Sequence, residues 1–461
     1  MKQRKKVLPV MLLICMMSLL MACGDKSAVT EKEEYVQETD AAENDVASMT
    51  EKEPEETAQS QEHEMTDVDE QTEEQAPVVE KPQILSLQET RNARYEGIGD
   101  YEKLLLISEY NCVTFWEDTE NYQEMDRTLS ETAGMIVRSQ EDEADNILSF
   151  ADEMFDVDSY FETQVSTVDV QVRRADSVVV SLLTDSYADY GFIEDFRGMW
   201  GSNYDTQTGQ QLLITDVIKD MTPIPSLVEK ELNSHLWAGE GYSEAVIQDY
   251  FQNTPEDGIS WTLDYNGVTF YFGDGDITEP GNGGQAATIS FAEHSELFEE
   301  KYMNVPEAYM VRLPLDSSFF TDLDEDGTLE ELNVTGLYDE EGRFYSELGI
   351  YTDTDGYYHY EELFAYGFNP YYVKTAEGKH YLYLFCEEND AEDRQMMLVV
   401  YDVSNGQLVR AGEMNAAPAY IPSDIFILPL NPNYLRLDNF DSMEQDFGVY
   451  MVGENGMPVR K

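Results

Sequence analysis

The chain has 461 residues, and its 94 acidic against 28 basic side chains give a formal net charge of −66 at pH 7. A chain this acidic has little with which to neutralise phosphates, so the composition excludes nucleic acid as an expected partner. The length is sufficient for two domains with hydrophobic cores of their own.

Residues 1–22 have the composition of a secretory signal. A basic start precedes a short apolar run, too short for a membrane-spanning helix. The run ends in the sequence LMAC, which resembles a bacterial lipobox cleaved before its cysteine, Cys23. We therefore expect Cys23 to carry the lipid that anchors the mature protein at the extracytoplasmic face of the cell membrane. An ordinary signal peptide that happens to contain Cys23 is the alternative.

The segment that follows is strongly acidic. Residues 24–82 contain 20 Asp and Glu against 4 Lys and almost no aromatic residues. Such a segment cannot bury enough apolar area to offset the entropy of ordering. Residues 23–82, which include the lipidated cysteine, are thus predicted to be a disordered linker. Without the +4 of the signal and the −16 of the linker, the rest of the chain still carries −54.

Residues 83–302 are predicted to form an α+β domain, with helices packed against a largely antiparallel sheet. Apolar residues at every second position indicate strands, and apolar residues three or four positions apart indicate helices. The polar segment 173–176 is predicted to separate the strands of a central hairpin. The predicted elements are strands at 103–116, 168–172 and 177–183, a turn at 203–209, a strand at 212–214, a short helix capped by Asp216, a hairpin at 261–272, a strand at 287–291, and helices at 122–136, 144–155, 224–237, 242–253 and 293–302.

The order of several motifs in this domain resembles one known family. The motifs are RRADSVVVSLL, NYDTQTGQQLLITDVI, WTLDYNGVTFYF and the glycine-rich run before ATISFAEHSELF. The series resembles the extracytoplasmic module of RsiV, a lysozyme-sensing anti-sigma factor, and of the peptidoglycan deacetylase PdaC. That module is the domain of unknown function 3298, and the resemblance covers roughly residues 90–300. It implies a module that binds a protein or glycan at the envelope, with lysozyme as the leading candidate.

Residues 303–461 are predicted to form a mostly β domain, either a meander or an incomplete propeller. Strand patterns follow one another there, with glycine-containing turns between them. The predicted strands are 309–313, 331–337, 344–351, 381–385 and 397–401, and the turns are Asp355-Gly356, Glu377-Gly378 and Asn405-Gly406.

The sequence DLDEDGTLE in this domain has the spacing of a calcium loop. Oxygen ligands at positions 1, 3, 5, 7 and 9, with glycine at position 6, suit a hard cation. The predicted ligands are Asp322, Asp324, Asp326, Glu330 and the backbone carbonyl of Thr328. Position 12 is Asn333 rather than glutamate, so the expected affinity is weak, with a Kd of ~10⁻⁴ to 10⁻³ M. A simple acidic turn is the alternative.

The sequence offers no recognisable catalytic set. The five histidines have no paired zinc spacing, and neither a phosphate-binding loop nor a nucleophile elbow is present. Cys112 and Cys386 are expected to be buried thiols, although a disulfide between the two domains stays open. We expect a surface lipoprotein with a non-enzymatic binding module, acting as a sensor or decoy, whose ligand-binding residues the sequence does not identify. The alternatives are an envelope hydrolase that uses acidic residues and a structural envelope protein.

Overall fold

The computed structural model describes residues 81–98, 103–117, 119–155, 163–189, 196–235, 241–279, 283–315, 317–339, 344–390, 393–421, 425–439 and 446–461. The predicted signal, Cys23 and nearly all of the predicted linker lie outside these residues. All of the described residues belong to one compact unit, Glu80–Lys461.

Antiparallel strands dominate this unit and helices pack beside them, which confirms the predicted α+β class with a β-rich C-terminal part. The strands are β1 (Leu87–Ile98), β2 (Lys103–Phe115), β3 (Gln164–Ala175), β4 (Val179–Asp189), β5 (Phe196–Asp205), β6 (Trp261–Leu263), β7 (Gly267–Phe272), β8 (Gln285–Ser290), β9 (Tyr309–Arg312), β10 (Ser318–Thr321), β11 (Glu330–Tyr338), β12 (Tyr345–Thr352), β13 (Tyr358–Lys374), β14 (His380–Asp390), β15 (Asp393–Asp402), β16 (Val409–Met414), β17 (Ala416–Pro418), β18 (Tyr420–Ile421), β19 (Ile425–Ile427), β20 (Leu435–Asn439), β21 (Asp446–Val452) and β22 (Pro458–Arg460). The helices are α1 (Gln123–Phe155), α2 (Ile214–Val217), α3 (Ile224–Ser234), α4 (Glu244–Asn253) and α5 (Glu300–Met303), with short 3₁₀ turns at Glu256–Gly258, Ser295–Leu297 and Ser404–Gly406.

The first sheet has seven strands in the order β18-β19-β1-β2-β3-β4-β5. β2 and β3 run parallel because α1 returns the chain between them. Met125 and Leu129 of α1 are fully buried and pack on the same face of the sheet as Val172. The helix predicted as two pieces is continuous, because the intervening polar residues, such as Glu141 and Glu143, are good helix formers.

The predicted central hairpin is confirmed, since β3 and β4 pair antiparallel. Its turn depends on Asp176, whose Oδ1 accepts the N–H groups of Val178 at 2.8 Å and Val179 at 3.0 Å. A side chain that bonds the backbone two residues on is a common way to fix a tight turn. The turn predicted at 203–209 is also present, with Gly209 at a φ of +63°.

Of the polar segment 173–176, only Asp176 lies between the strands as predicted. Arg173 and Arg174 belong to β3, beside a β-bulge, and both side chains are buried. Arg173 Nε lies 3.4 Å from Asp264 Oδ1, and Arg174 Nε lies 2.7 Å from Asp176 Oδ2. Charged groups are tolerated in a protein interior when they are paired and hydrogen-bonded, and both of these are.

The strand predicted at 212–214 is wrong, because Ile214 begins α2. The Asp216 carboxylate accepts the N–H of Leu213 at 2.8 Å, and this bond satisfies a donor at the helix start. Asp216 therefore caps the helix start from inside α2, and not from the N-cap position predicted for it, which Leu213 occupies.

A second core lies between α3, α4 and the three-stranded sheet β6-β7-β8. The hairpin predicted around Asn266-Gly267 is confirmed as the β6–β7 pair. The helix predicted at 293–302 is wrong, since a 3₁₀ turn and α5 are separated by an extended residue pair. There the Glu299 N–H donates to the carbonyl of Val217 in α2 at 2.9 Å. It is therefore not available for a hydrogen bond within a continuous helix.

The strands from β10 to β16 form an antiparallel meander in chain order, with β9 paired to β13. β17, β20, β21 and β22 form a smaller sheet against it, and buried tyrosines and leucines fill the space between the two. All five strands predicted in this half are present, which confirms the meander.

The residues on each side of position 302 are also connected, because β18 and β19 complete the first sheet and Tyr265 stacks on Tyr309 at 4.0 Å between ring centroids.

Cys112 and Cys386 are buried free thiols, so the disulfide that the sequence left open is not formed. Burial raises the pKa of the Cys112 thiol to about 11. In the part of the chain that the structure describes, no helix combines the length and the apolar character needed to cross a membrane.

Candidate metal site

The predicted calcium loop connects β10 to β11. Leu323 fixes the loop to the domain, since its side chain is buried in the core and its carbonyl accepts the N–H of Asn405 at 2.9 Å. Gly327 has a φ of +93° and Glu325 a φ of 61°, so the chain reverses sharply between the two strands. Glycine adopts such a φ without steric cost, which explains its place at the sixth loop position.

Three of the predicted ligands come together in this loop. Carboxylate oxygens of Asp322, Asp324 and Glu330 all lie within 4.8 Å of one another. Backbone groups orient the first of them, because Asp322 Oδ2 accepts the Gly327 N–H at 3.0 Å and Asp322 Oδ1 accepts the Asp326 N–H at 3.1 Å. A converging set of hard oxygen donors fits calcium better than a transition metal.

Asp326 and Thr328 contribute to the loop in a different way. Asp326 Oδ1 accepts the Thr328 N–H at 2.8 Å, so this carboxylate stabilises the turn and is not one of the three that converge. Asn333, at the twelfth position, lies in β11, and its Oδ1 accepts the Tyr358 hydroxyl at 3.2 Å. The chain therefore leaves the loop as a strand, and the Asn333 side chain is already hydrogen-bonded to Tyr358.

The electrostatics of the loop favour a cation. The pKa of Glu330 is raised to about 7, first by burial and then by the charges of Asp324, Asp322 and Asp326, while a bond from the Leu323 N–H at 2.6 Å opposes the rise. Like charges that converge in this way repel one another unless a cation or a proton lies between them. A divalent ion bound by Asp322, Asp324 and Glu330 would relieve that repulsion.

A buried polar pair lies beside the loop. The Tyr372 hydroxyl is 2.5 Å from His380 Nδ1, and both side chains are almost fully buried. Burial and the nearby charge of Lys374 together lower the pKa of His380 to about 4, so the imidazole is neutral at pH 7. Lys374 Nζ also lies 3.4 Å from Glu325 Oε1, which brings the β13–β14 turn against the loop.

A second feature, which the sequence did not indicate, is an acidic–aromatic surface on β12 and β13. We define it as Phe344, Glu347, Tyr358, Tyr360, Glu362 and Phe364. Tyr360, Glu362 and Phe364 alternate on the outer face of β13, and the side chains of Tyr360 and Phe364 are 52% and 46% exposed. Glu347 lies directly opposite Glu362 on the neighbouring strand. The alternation of residues along β13 could have predicted that Tyr360, Glu362 and Phe364 share a face. The position of Glu347 opposite Glu362 depends on how β12 pairs with β13, which the sequence does not show.

The structure also brings one of the scattered histidines to two carboxylates. His235 lies close to Glu331 and Asp353, with ligand atoms of all three within 4.8 Å of one another. The three residues come from separate segments of the chain, so no sequence spacing could have shown the cluster.

The described chain is therefore an α+β protein with a mixed seven-stranded sheet and an antiparallel meander as its two main sheets, and with an acidic loop suited to a hard cation. No family model matches the sequence, and no curated protein matches it.

Two solved structures resemble part of the fold, and both are members of the domain of unknown function 3298 family, the one whose motif order this sequence resembles. One is from Bacteroides fragilis, with 12% identity and a TM-score of 0.37, and the match covers 48% of this chain and 96% of that chain. The other is from Pseudomonas aeruginosa, with 13% identity and a TM-score of 0.32, and the match covers 48% of this chain and 97% of that chain.

Proposed function

We propose that this protein is a cell-surface lipoprotein, anchored through Cys23, whose folded part binds a basic protein at the envelope without catalysing a reaction. The observation that carries the proposal is the acidic–aromatic surface. A lysozyme is the leading partner, because the motif resemblance to RsiV and the −54 charge of residues 83–461 both favour it.

The chemistry of the surface suits arginine and lysine side chains. Glu347 and Glu362 face each other across two strands, and like charges in that position destabilise a sheet. Neither carboxylate has an ion-pair partner among the residues that the structure describes. Exposed rings flank them, since Tyr360 stacks beside Tyr358 at 5.7 Å and Phe364 packs on Phe344 at 4.2 Å between centroids. A basic partner could pair with the carboxylates and place cations over the rings.

We expect Glu80–Lys461 to bind a c-type lysozyme in titration calorimetry and to retain measurable affinity near 1 M salt. At that salt concentration the Debye length is ~3 Å, so long-range attraction between the two charges is screened while an aromatic contact is not. Tyr360→Ala should weaken binding at least about tenfold, which corresponds to ~1.4 kcal/mol, since exposed tyrosines at interface centres often dominate affinity.

Two controls define this experiment. Tyr434→Ala removes a tyrosine of similar exposure that lies outside the acidic–aromatic surface, and it should leave the affinity unchanged. An unrelated protein with the same basic charge should lose its binding at high salt. Equal binding of both proteins at low salt, lost for both at high salt, would reduce the proposal to nonspecific electrostatics.

A specific observation favours a second candidate, an envelope hydrolase. Glu330 has a raised pKa beside the carboxylates of Asp322 and Asp324, and a proton donor next to an ionised carboxylate is a frequent catalytic arrangement. Incubation with peptidoglycan fragments separates the two candidates, because a hydrolase would release products that the Glu330→Gln variant does not.

We further propose that the loop from Asp322 to Glu330 binds calcium weakly. With a Kd near 1 mM, 10 mM Ca²⁺ should stabilise Glu80–Lys461 by about 1.4 kcal/mol, because the ion binds the folded state. Thermal melts in calcium and in chelator should therefore differ in midpoint for the wild type. The Asp324→Asn variant should lose the difference, and the matched variant Asp249→Asn, altered on the exposed face of α4, should keep it. Identical melts of the wild type in both conditions would leave the loop as a simple turn.

A further inference from the structure

A histidine and two carboxylates meet where α3 touches the β10–β12 part of the meander. His235 follows the last residue of α3, and its ring lies 4.4 Å from the Phe320 ring between centroids. Phe320 of β10 is paired with Glu331 of β11, so the imidazole that contacts Phe320 also lies near Glu331. Asp353, which follows β12, is the third member.

The carboxylates are held in place by hydrogen bonds that leave lone pairs of their oxygen atoms for a further partner. The Glu331 N–H donates to Asp353 Oδ2 at 2.8 Å, and the Tyr351 hydroxyl donates to Asp353 Oδ1 at 3.2 Å. The Ser318 hydroxyl donates to the Glu331 carboxylate. Such outer partners orient metal-binding carboxylates, since each oxygen has more than one lone pair.

The histidine has an outer partner of the same kind. Its Nε2 lies 3.4 Å from Glu231 Oε1, one turn earlier in α3. A carboxylate beside an imidazole fixes the orientation of the ring and increases its basicity as a ligand. The spacing of four residues places both side chains on the same face of the helix.

The burial of one member, Glu331, makes the cluster costly without a cation, while His235 is half-buried and Asp353 is exposed. The Glu331 side chain is only 6% exposed, and carboxylates this deep in a protein are normally paired with a cation or bound to a metal. Within the described ranges, neither Glu331 nor Asp353 forms an ion pair with a lysine or an arginine. His235 is the only basic group beside them in the metal-ligand cluster. Burial opposes its charged form, but Glu231, Asp353 and Glu331 raise the pKa of His235 on balance, and one imidazolium does not balance three carboxylates.

We propose that His235, Glu331 and Asp353 form a second metal site, which takes a divalent transition-metal ion such as Zn²⁺. One nitrogen and two oxygen ligands suit zinc, whereas the acidic loop with oxygen ligands alone suits calcium. Zinc bonds of 2.0–2.2 Å place tetrahedral ligand atoms about 3.4 Å apart, so the observed separations within 4.8 Å require only small side-chain movements. The fourth ligand would come from outside this set.

The test is a titration of the metal-stripped full chain, in detergent, with Zn²⁺ as the probe. The wild type should bind zinc in a saturable step, and His235→Gln should weaken that step by roughly tenfold or more. His294→Gln is the matched control, because both histidine side chains are 22% exposed and both have glutamate neighbours. Any zinc bound elsewhere in the chain is common to the two variants and cancels in their comparison.

A spectroscopic measurement complements the titration. Co²⁺ in place of Zn²⁺ should give visible absorption bands in the wild type and in His294→Gln that are diminished in His235→Gln. Asp324→Asn should leave the zinc step intact, which separates this site from the calcium loop. Equal zinc affinity of His235→Gln and His294→Gln would overturn the proposal. Because His235 is partly exposed at the end of a helix, its substitution tests the site even if Glu331→Gln fails to fold.

Discussion

Replacement of Arg174 by alanine is expected to lower the free energy of unfolding of Glu80–Lys461 by about 3–5 kcal/mol. The Arg174 side chain is fully buried and pairs with Asp176 at 2.7 Å. Its other nitrogens donate to the carbonyls of Tyr302 at 2.7 Å and Asn304 at 3.1 Å. Alanine would leave the Asp176 carboxylate without its cation in an apolar interior and would remove the donors of both carbonyls, and each of these losses is costly.

Urea unfolding measures this prediction, and Arg197→Ala is the matched control. Arg197 also pairs with an aspartate of the first sheet, Asp185, at 2.9 Å, but its side chain is 58% exposed. Exposed ion pairs contribute about 0–1 kcal/mol, so this variant should unfold close to the wild-type midpoint. If the two variants lost equal stability, the burial of Arg174 would not be the cause of its contribution.

Gly201→Ala is expected to destabilise the same unit by about 3 kcal/mol, at the upper end of the range for overpacked cores. A methyl group on Gly201 would lie 1.8 Å from the carbonyl oxygen of Trp261, which belongs to the backbone of β6. The two strands are also joined there by bonds from the Gly201 N–H to the Ser260 hydroxyl and from Asn203 Nδ2 to the Trp261 carbonyl. Neither strand can therefore move aside without loss of these bonds.

Gly367→Ala is the control for this change, because a methyl group there would meet nothing within 4 Å. Both glycines lie in strands with a φ that other residues adopt, so both substitutions reduce the entropy of the unfolded chain similarly. Thermal melts should place Gly367→Ala at or slightly above the wild type and Gly201→Ala well below it. A Gly201→Ala variant as stable as Gly367→Ala would mean that β5 and β6 do not approach as closely as described.

The sequence predicted those parts of the fold that depend on neighbouring residues. The Asn266-Gly267 turn, the alternation in β3 and the succession of strands after Tyr309 are local patterns, and the structure has all three. β1 was not predicted, because polar residues fill most of its positions and its place is set by pairing with β2. Arg174 was assigned to a polar interruption for a similar reason, since the Tyr302 carbonyl that it contacts lies 128 positions away.

The same difference between local patterns and contacts of distant residues applies to the candidate sites. The loop spacing predicted five ligands, and the carboxylates of Asp322, Asp324 and Glu330 do converge, because all three lie close together in the chain. The role of Asp326 was not predictable from spacing, since its carboxylate can either face the other three or accept the Thr328 N–H. His235 and Glu331 meet only after α3 has packed against the meander.

The pairing of β19 with β1 has a consequence for the order in which the protein folds. Residues 88–90 of β1 bond to residues 425–427, near the other end of the chain. A chain that emerges from its N-terminus can form the hairpins of the meander as soon as their residues appear, but it cannot close this edge of the first sheet before residues 425–427 have been synthesised. Until then β1 keeps unpaired backbone groups that can pair with another chain. An incompletely folded chain therefore leaves this strand, more than any part of the meander, in need of protection.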